Sequence, residues 1–309
     1  MINKIKKLII KKNLDGYIVP KNDKFFTEYS EISNLELVSD FSGSAGFAII
    51  LRNKNYLFVD GRYTIQAKKQ SGSKFKIFEI PLVWPRNIFE TTEYKLNIGF
   101  DPKLFTYNSL KVYFSNTCNL IPTIEDLFKK KNNKNLHRNK FYKLDEKVTG
   151  ENSKSKINRV IKILNKKKID YLFISAGENV CWLMNIRGKD LPNSPIANCN
   201  IILTNDRKIY FFSELKKISN IKKKFINQKI FFYEEEKLFE ILRSIKPGSF
   251  CIDRQTCSIF NEEIIKSNFI IKERSDFIYY LKSIKNKTEI KNMMKSHIED
   301  GVALTKFLH

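Results

Sequence analysis

Histidine, arginine and uninterrupted apolar runs are all scarce in this chain, and each scarcity excludes something. Only three histidines occur in 309 residues: His137, His297 and His309. No HExxH or comparable ligand cluster is present, so no metal site and no catalytic residue is expected in this chain. No apolar run approaches the ~20 residues that a helix needs to cross a bilayer. The basic N-terminus, MINKIKKLIIKKNLDG, has only Leu8-Ile9-Ile10 as an unbroken apolar run. A secretory signal needs roughly 7–15 such residues and a small-residue cleavage site. A soluble, cytoplasmic chain is expected, with no membrane partner.

The net charge is +23, yet only 10 of the 56 basic residues are Arg, the other 46 being Lys. Arg is the side chain best suited to phosphate forks and base edges. The lysines are spread along the chain, so nucleic acid is not expected as a partner, and the charge reads as compositional. The densest run, Lys129 through Lys143, is Asn-rich and lacks helical periodicity, which suggests a solvated linker. The five cysteines are odd in number and form no CxxC pair. Buried thiols in a reducing compartment are expected, with Cys181 and Cys199 as inert packing residues.

What the chain does have is apolar material, with 42% hydrophobic residues, 25 Phe and 13 Tyr. That is ample for packed cores, and the length suggests about two domains. The chain also repeats itself at a shift of about 155 residues. Ile2, Ile5, Leu8 and Ile9 share a helical face, followed by a basic end and the apolar segment Leu14-Asp15-Gly16-Tyr17-Ile18-Val19. Ile157, Val160, Ile163 and Leu164 do the same, followed by Lys166-Lys167-Lys168 and Ile169-Asp170-Tyr171-Leu172-Phe173-Ile174. Two apolar segments around Arg52–Asn55 signal a hairpin, and a second such pair flanks Thr204–Lys208. Ile98-Gly99-Phe100-Asp101 is matched by Phe250-Cys251-Ile252-Asp253. The expected fold class is α/β: two tandem copies of one domain, each a mixed sheet flanked by helices, meeting near Gly150.

Two stretches carry candidate chemistry. Phe41-Ser42-Gly43-Ser44-Ala45-Gly46 is Gly-rich but lacks a GK[ST] ending and enters a strand, so it is no phosphate loop. Gly43 and Gly46 are expected to permit a tight turn. Ser42 and Ser44 have no His or acid in a triad arrangement. After the hairpin comes Asp60-Gly61-Arg62-Tyr63, a strand-to-helix corner with Asp60 as the expected cap. The second stretch, Val180 through Asp190, places Trp182 and Leu183 in the core. It leaves Arg187 and Asp190 as a local ion pair or as groups facing a further domain.

Together with Ile18-Val19-Pro20-Lys21-Asn22-Asp23, these motifs resemble, in order and spacing, the N-terminal half of the three-domain aminopeptidase P family, the Xaa-Pro aminopeptidases of the M24 metallopeptidases. There, two creatinase-like N-terminal domains precede a pita-bread catalytic domain. The resemblance implies creatinase N-terminal-like domains at 1–149 and 150–284, with 285–309 opening a pita-bread domain. His297 through Leu304 resembles that domain's first helix. Met293, Met294, Ile298, Val302 and Thr305 outline an apolar face with no partner and no stop signal, so the chain reads as truncated.

In the family, two divalent metals, manganese being the expected ion, activate a bridging water in the pita-bread domain. The resemblance therefore implies a non-catalytic half, inactive alone and binding no cofactor itself. It would shape access for peptides with proline at the second position. By motif match Arg62 is the substrate-binding residue, since a guanidinium can fork to a carboxylate or carbonyl; the alternative is an Arg paired with Asp60 or capping nearby carbonyls. The expected partners are the missing pita-bread domain and, as an open option, a second copy. A stand-alone peptide-binding or assembly module serving a separate catalytic chain is the alternative reading, and a basic nucleic-acid-binding protein the third.

Overall fold

The computed structural model describes residues 1–27, 29, 33–125, 127–128, 140–225 and 229–309. The chain forms two compact units: Met1–Lys134 with Arg254–Ile264, and Asn135–Asp253 with Ile265–His309.

The first unit is built on a six-stranded mixed sheet. Its strands are β1 (Gly16–Pro20), β2 (Gly46–Leu51), β3 (Asn55–Asp60), β4 (Lys76–Ile80), β5 (Asn97–Phe100) and β6 (Asn119–Pro122), in the order β4-β3-β2-β1-β5-β6. In the second unit a short strand β7 (Tyr142–Lys143) pairs with β9 (Ile186–Arg187). Its main sheet consists of β8 (Tyr171–Ile174), β10 (Asn200–Thr204), β11 (Ile209–Phe212), β12 (Ile230–Tyr233), β13 (Ser249–Ile252) and β14 (Ile270–Glu273). The order is β12-β11-β10-β8-β13-β14, the same topology as in the first unit.

The repeat holds at the level of register. Tyr17 stands opposite Gly99 in the first sheet, and their counterparts Leu172 and Cys251 stand opposite each other in the second. Each copy of the repeat begins with an amphipathic helix. Ile2–Lys11 buries Ile5, Leu8 and Ile9, and Ser153–Lys166 buries Ile157, Val160, Ile161 and Leu164. Both helices are followed, two residues after their last turn, by a left-handed residue at the same place in the repeat, Asn13 and Lys168. The next amide then turns back to the helix: Leu14 N to Ile9 O, and Ile169 N to Leu164 O, each at 2.9 Å. The repeated aspartate has a structural task. Asp15 accepts the Asn97 amide at 2.9 Å, and Asp170 accepts the Ser249 amide at 2.8 Å. Each carboxylate ties the start of the fifth strand to the start of the first.

Both faces of the first sheet are covered. Ile5, Leu8, Val19, Phe41 and Leu57 belong to one core, and Ile18, Phe47, Phe58, Phe105 and Phe114 to the other. Ile259 joins the latter, its amide donating to Phe105 O at 2.9 Å. The second unit packs Leu172, Val180, Leu183, Ile201, Phe211 and Cys251 into a single large cluster. The expected solvated linker is corrected at its end. Residues 129–139 lie outside the described set, but Phe141 is fully buried in that cluster and β7 follows it. Phe141 is a core anchor despite the charge of its neighbours, whereas the adjacent Tyr142 stays exposed.

Candidate functional site

The DGRY corner sits where β3 ends and a 3-10 turn, Gly61–Tyr63, leads into the helix Thr64–Ser71. Asp60 caps this turn by accepting the Arg62 amide at 2.9 Å. The same carboxylate grips the Arg62 side chain, with Nε to Oδ1 at 2.8 Å and Nη2 to Oδ2 at 3.0 Å. These bonds from Arg62, side chain first and backbone second, hold the Asp60 carboxyl below its usual range. The guanidinium also lies 5.4 Å from the Tyr63 ring centre, and the Arg62 side chain is 69% exposed. The pairing with Asp60 named above as the alternative is therefore present. It also holds the exposed guanidinium through two charge-assisted bonds.

The Gly-rich approach supports this corner. Gly46 has φ +150°, and a Cβ there would lie 2.6 Å from the Phe58 carbonyl oxygen. At Gly43 a Cβ would meet the Phe41 ring at 2.2 Å. Phe41 packs edge-on against Tyr63 at 5.7 Å, and the Tyr63 hydroxyl is 2.9 Å from Ser44 Oγ. Gln66 and Gln70 each donate to Ser42 Oγ at 3.0 Å. Both serines thus serve the geometry of the corner, and neither faces a histidine.

The second motif needs a correction. Asp190 does not pair with Arg187. It takes Lys217 at 2.8 Å and the Asn198 amide at 2.7 Å, while Arg187 donates to the carbonyls of Cys181 and Ile186. Sequence distance hid Lys217, which sits on the helix Leu215–Lys222, 27 residues away. Leu183 is in the core as expected; Trp182 is only partly buried, its indole donating to Glu289 at 3.3 Å.

Two buried polar groupings gave no signal in the sequence. Lys156 is almost wholly buried, donating to Trp182 O and Asn185 Oδ1 with its ammonium 4.2 Å from the Trp182 ring centre. Burial pushes its pKa down to about 8. Near the carboxyl ends of β8 and β13, buried Asn179 donates to Asp276 at 2.7 Å and accepts from Lys282 at 2.5 Å. The Asp276 amide donates to Asp253 at 2.8 Å. Burial raises Asp276 to about 6. The repeat had pointed to Asp253, but not to these partners.

Among the described residues no three His, Cys, Asp or Glu side chains stand together as a metal site. His297 and His309 are exposed at the terminal helix Lys287–Leu308, and His137 lies outside the described residues. All five cysteines are buried and none is in a disulfide. Burial pushes the thiols of Cys118 and Cys181 up to about 11 and Cys251 to about 12, which suits packing and not nucleophilic attack. Among the described residues no helix is long and apolar enough to cross a membrane.

The two units share one mixed-sheet topology, and comparison with known proteins identifies the family. Residues 1–127 and 132–289 each match the creatinase/prolidase N-terminal domain, and the chain belongs to that family. Xaa-Pro aminopeptidase 1 of Dictyostelium discoideum is 30% identical over 99% of this chain and 52% of its own length. A probable Xaa-Pro aminopeptidase P of Coprinopsis cinerea is 28% identical over 98% of this chain and 53% of its own. In structure, the X-prolyl aminopeptidase of Caenorhabditis elegans, described as a cytosolic enzyme with a di-nuclear active site, superposes with a TM-score of 0.86. It has 23% identity and covers 99% of this chain and 55% of that one. The chain spans about half the length of the curated relatives it matches.

Proposed function

We propose that the chain is the accessory, non-catalytic half of a cytosolic Xaa-Pro aminopeptidase, and that Arg62 contacts the peptide substrate. The observation that carries the reading is the DGRY corner. Its guanidinium is exposed, yet Asp60 holds it in one orientation through two bonds. A guanidinium already held in one orientation in solvent meets a ligand with less ordering left to do. The two divalent metals and the water they activate belong, in this reading, to a pita-bread domain beginning near residue 285. The terminal helix supports that boundary, because its apolar side chains are unpacked, Ile298 at 68% and Phe307 at 84% exposure.

The test has two arms. The chain alone, supplied with Mn²⁺, is expected to leave an Xaa-Pro peptide intact. Joined to the C-terminal half of the Dictyostelium relative, it is expected to support turnover. In that setting Arg62→Ala is expected to lower kcat/KM about tenfold or more, the effect of removing a charge-assisted bond to substrate. Hydrolysis by the chain alone, or an unchanged kcat/KM in the variant, refutes the corresponding part of the proposal.

A further inference from the structure

Three lysines are buried among the described residues: Lys21, Lys156 and Lys217. Lys156 bonds to Trp182 O and Asn185 Oδ1, and Lys217 to Asp190. Lys21 differs. It is 9% exposed, and among the described residues its ammonium has no hydrogen-bond or ion-pair partner. Burying a cation costs free energy unless something compensates it. The wholly buried side-chain atoms without a partner, among the described residues, are Asn55 Oδ1, Arg159 Nε and Glu262 Oε2. The Lys21 ammonium is not one of them, so it reaches solvent at the end of a covered stem.

Its place in the fold gives that cation a use. The Lys21 amide donates to Gly46 O at 3.2 Å, one step beyond the Pro20–Phe47 pair of β1 and β2. Pleating puts Lys21 on the same sheet face as Val19, Ala48 and Val59. Gly46 has no side chain to fill that face, which leaves room for the lysine stem. The same core holds Phe41 and Tyr63, with Ser44 on the Tyr63 hydroxyl and Arg62 over its ring. β1, β2 and β3 are neighbours, so Lys21, Ser44 and Arg62 lie along one rim. Two strand spacings, about 10 Å, separate its ends. Acids answer Arg62 and not Lys21. Asp60 grips the guanidinium, and Glu79 lies against Gly61. Asp23, two residues beyond Lys21, accepts the amides of Phe25 and Thr27. The second copy closes the equivalent place. Val19 opposite Ala48 corresponds to Ile174 opposite Ile201, which makes buried Ala176 and Cys199 the counterparts of Lys21 and Gly46.

We propose that Lys21 binds a carboxylate of the peptide substrate, either the terminal one or that of an acidic side chain. The inference rests on the peptide reading of the DGRY corner and adds the charge that the peptide must carry. A span of about 10 Å is roughly three extended residues, so the carboxylate sits that far along from the Arg62 contact.

Amide NMR of the full chain, titrated with three peptides, tests it: Ala-Pro-Ala as the free acid, Ala-Pro-Ala amide and Ala-Pro-Glu amide. At least one of the two carboxylate-bearing peptides should bind about tenfold tighter than Ala-Pro-Ala amide and shift the Lys21 and Gly46 signals. Which one does so identifies the carboxylate. Lys21→Met keeps the stem without the charge and should abolish the preference; Lys21→Arg should keep most of it. Equal behaviour of all three peptides, binding of none included, overturns the proposal, as does a preference that survives in Lys21→Met or is lost in Lys21→Arg. The Arg62 signal separates this claim from the one beneath it. A shift at Arg62 with every peptide and none at Lys21 removes the carboxylate site and leaves the corner reading. A carboxylate-dependent shift at Lys21 with Arg62 silent keeps the site and removes the Arg62 contact.

Discussion

Asp276 is expected to make the second unit more stable as the pH falls from 7 toward 4, and the size of the effect follows from its surroundings. The carboxyl is 3% exposed. It accepts the Ile278 amide and the Asn179 side chain, but Asp253 shares the site and adds like charge. Lys282 is the nearby cation, with its own pKa lowered by burial; Glu178, Tyr279 and the Cys251 thiol complete the surroundings. Burial is the largest influence and raises the pKa from 3.8 to about 6. Between those values the folded state binds the proton and the unfolded state releases it. Stability therefore falls as pH rises through that window. Two units at 1.36 kcal/mol each amount to a penalty of about 3 kcal/mol, fully present above pH 6 to 7 and absent below about 4.

The assay compares the wild type with Asp276→Asn by urea unfolding from pH 4 to 7. Trp84 is replaced by Phe in both, so that Trp182 is the only indole and reports the second unit. Asn keeps the cap to Ile278, but its amide must face the Asn179 amide, which adds a constant cost. That offset cancels from the pH dependence. The stability difference between the two proteins should change by about 2 kcal/mol across the range, with the wild type losing ground as pH rises. A flat difference refutes the argument. The opposite slope would mean that Lys282 holds Asp276 ionised in the folded state.

Other expectations are simpler. Asp190→Ala leaves Lys217, 8% exposed, without its buried partner, and should cost about 3–5 kcal/mol in urea unfolding. Replacing both with Leu and Met should recover most of that loss. Gly46→Ala must move the Phe58 carbonyl and adopt a conformation that L residues rarely take, and should cost about 1–3 kcal/mol in a thermal melt. Gly301→Ala, with nothing within 4 Å on the terminal helix, should instead gain about 0.5–1 kcal/mol.

The duplicated fold was legible because its signals are local. Helix periodicity, the turn after it, and the aspartate before the strand lie within about twenty residues in each copy, and the same offsets reappear as strand register. The DGRY corner was legible for the same reason, since Asp60 and Arg62 are two residues apart. Partners made by folding were not. Lys217 reaches Asp190 from another helix, Asn179 meets Asp276 across 97 residues, and Lys156 is one lysine among many in its segment. Phe141 was hidden by its neighbours' charge, because composition averages over a window whereas burial acts on single side chains.

Register also shows how the two copies diverged at one corner. Ile49 opposite Tyr56 corresponds to Ile202 opposite Tyr210, which makes Glu214 the counterpart of Asp60. In the second copy Glu214 lies 3.4 Å from Lys217, whose ammonium is buried against Asp190. That cation is used for packing. In the first copy the acid keeps its cation in solvent, on a rigid turn beside an aromatic ring. The two positions should therefore respond oppositely. Lys217→Ala should lower the unfolding midpoint and, if the remaining fold persists, spare peptide turnover in the joined enzyme. Arg62→Ala should leave the midpoint in place and lower turnover. Loss of stability at Arg62 equal to that at Lys217 would mean that both corners are structural, and the argument for substrate contact at the first would fall.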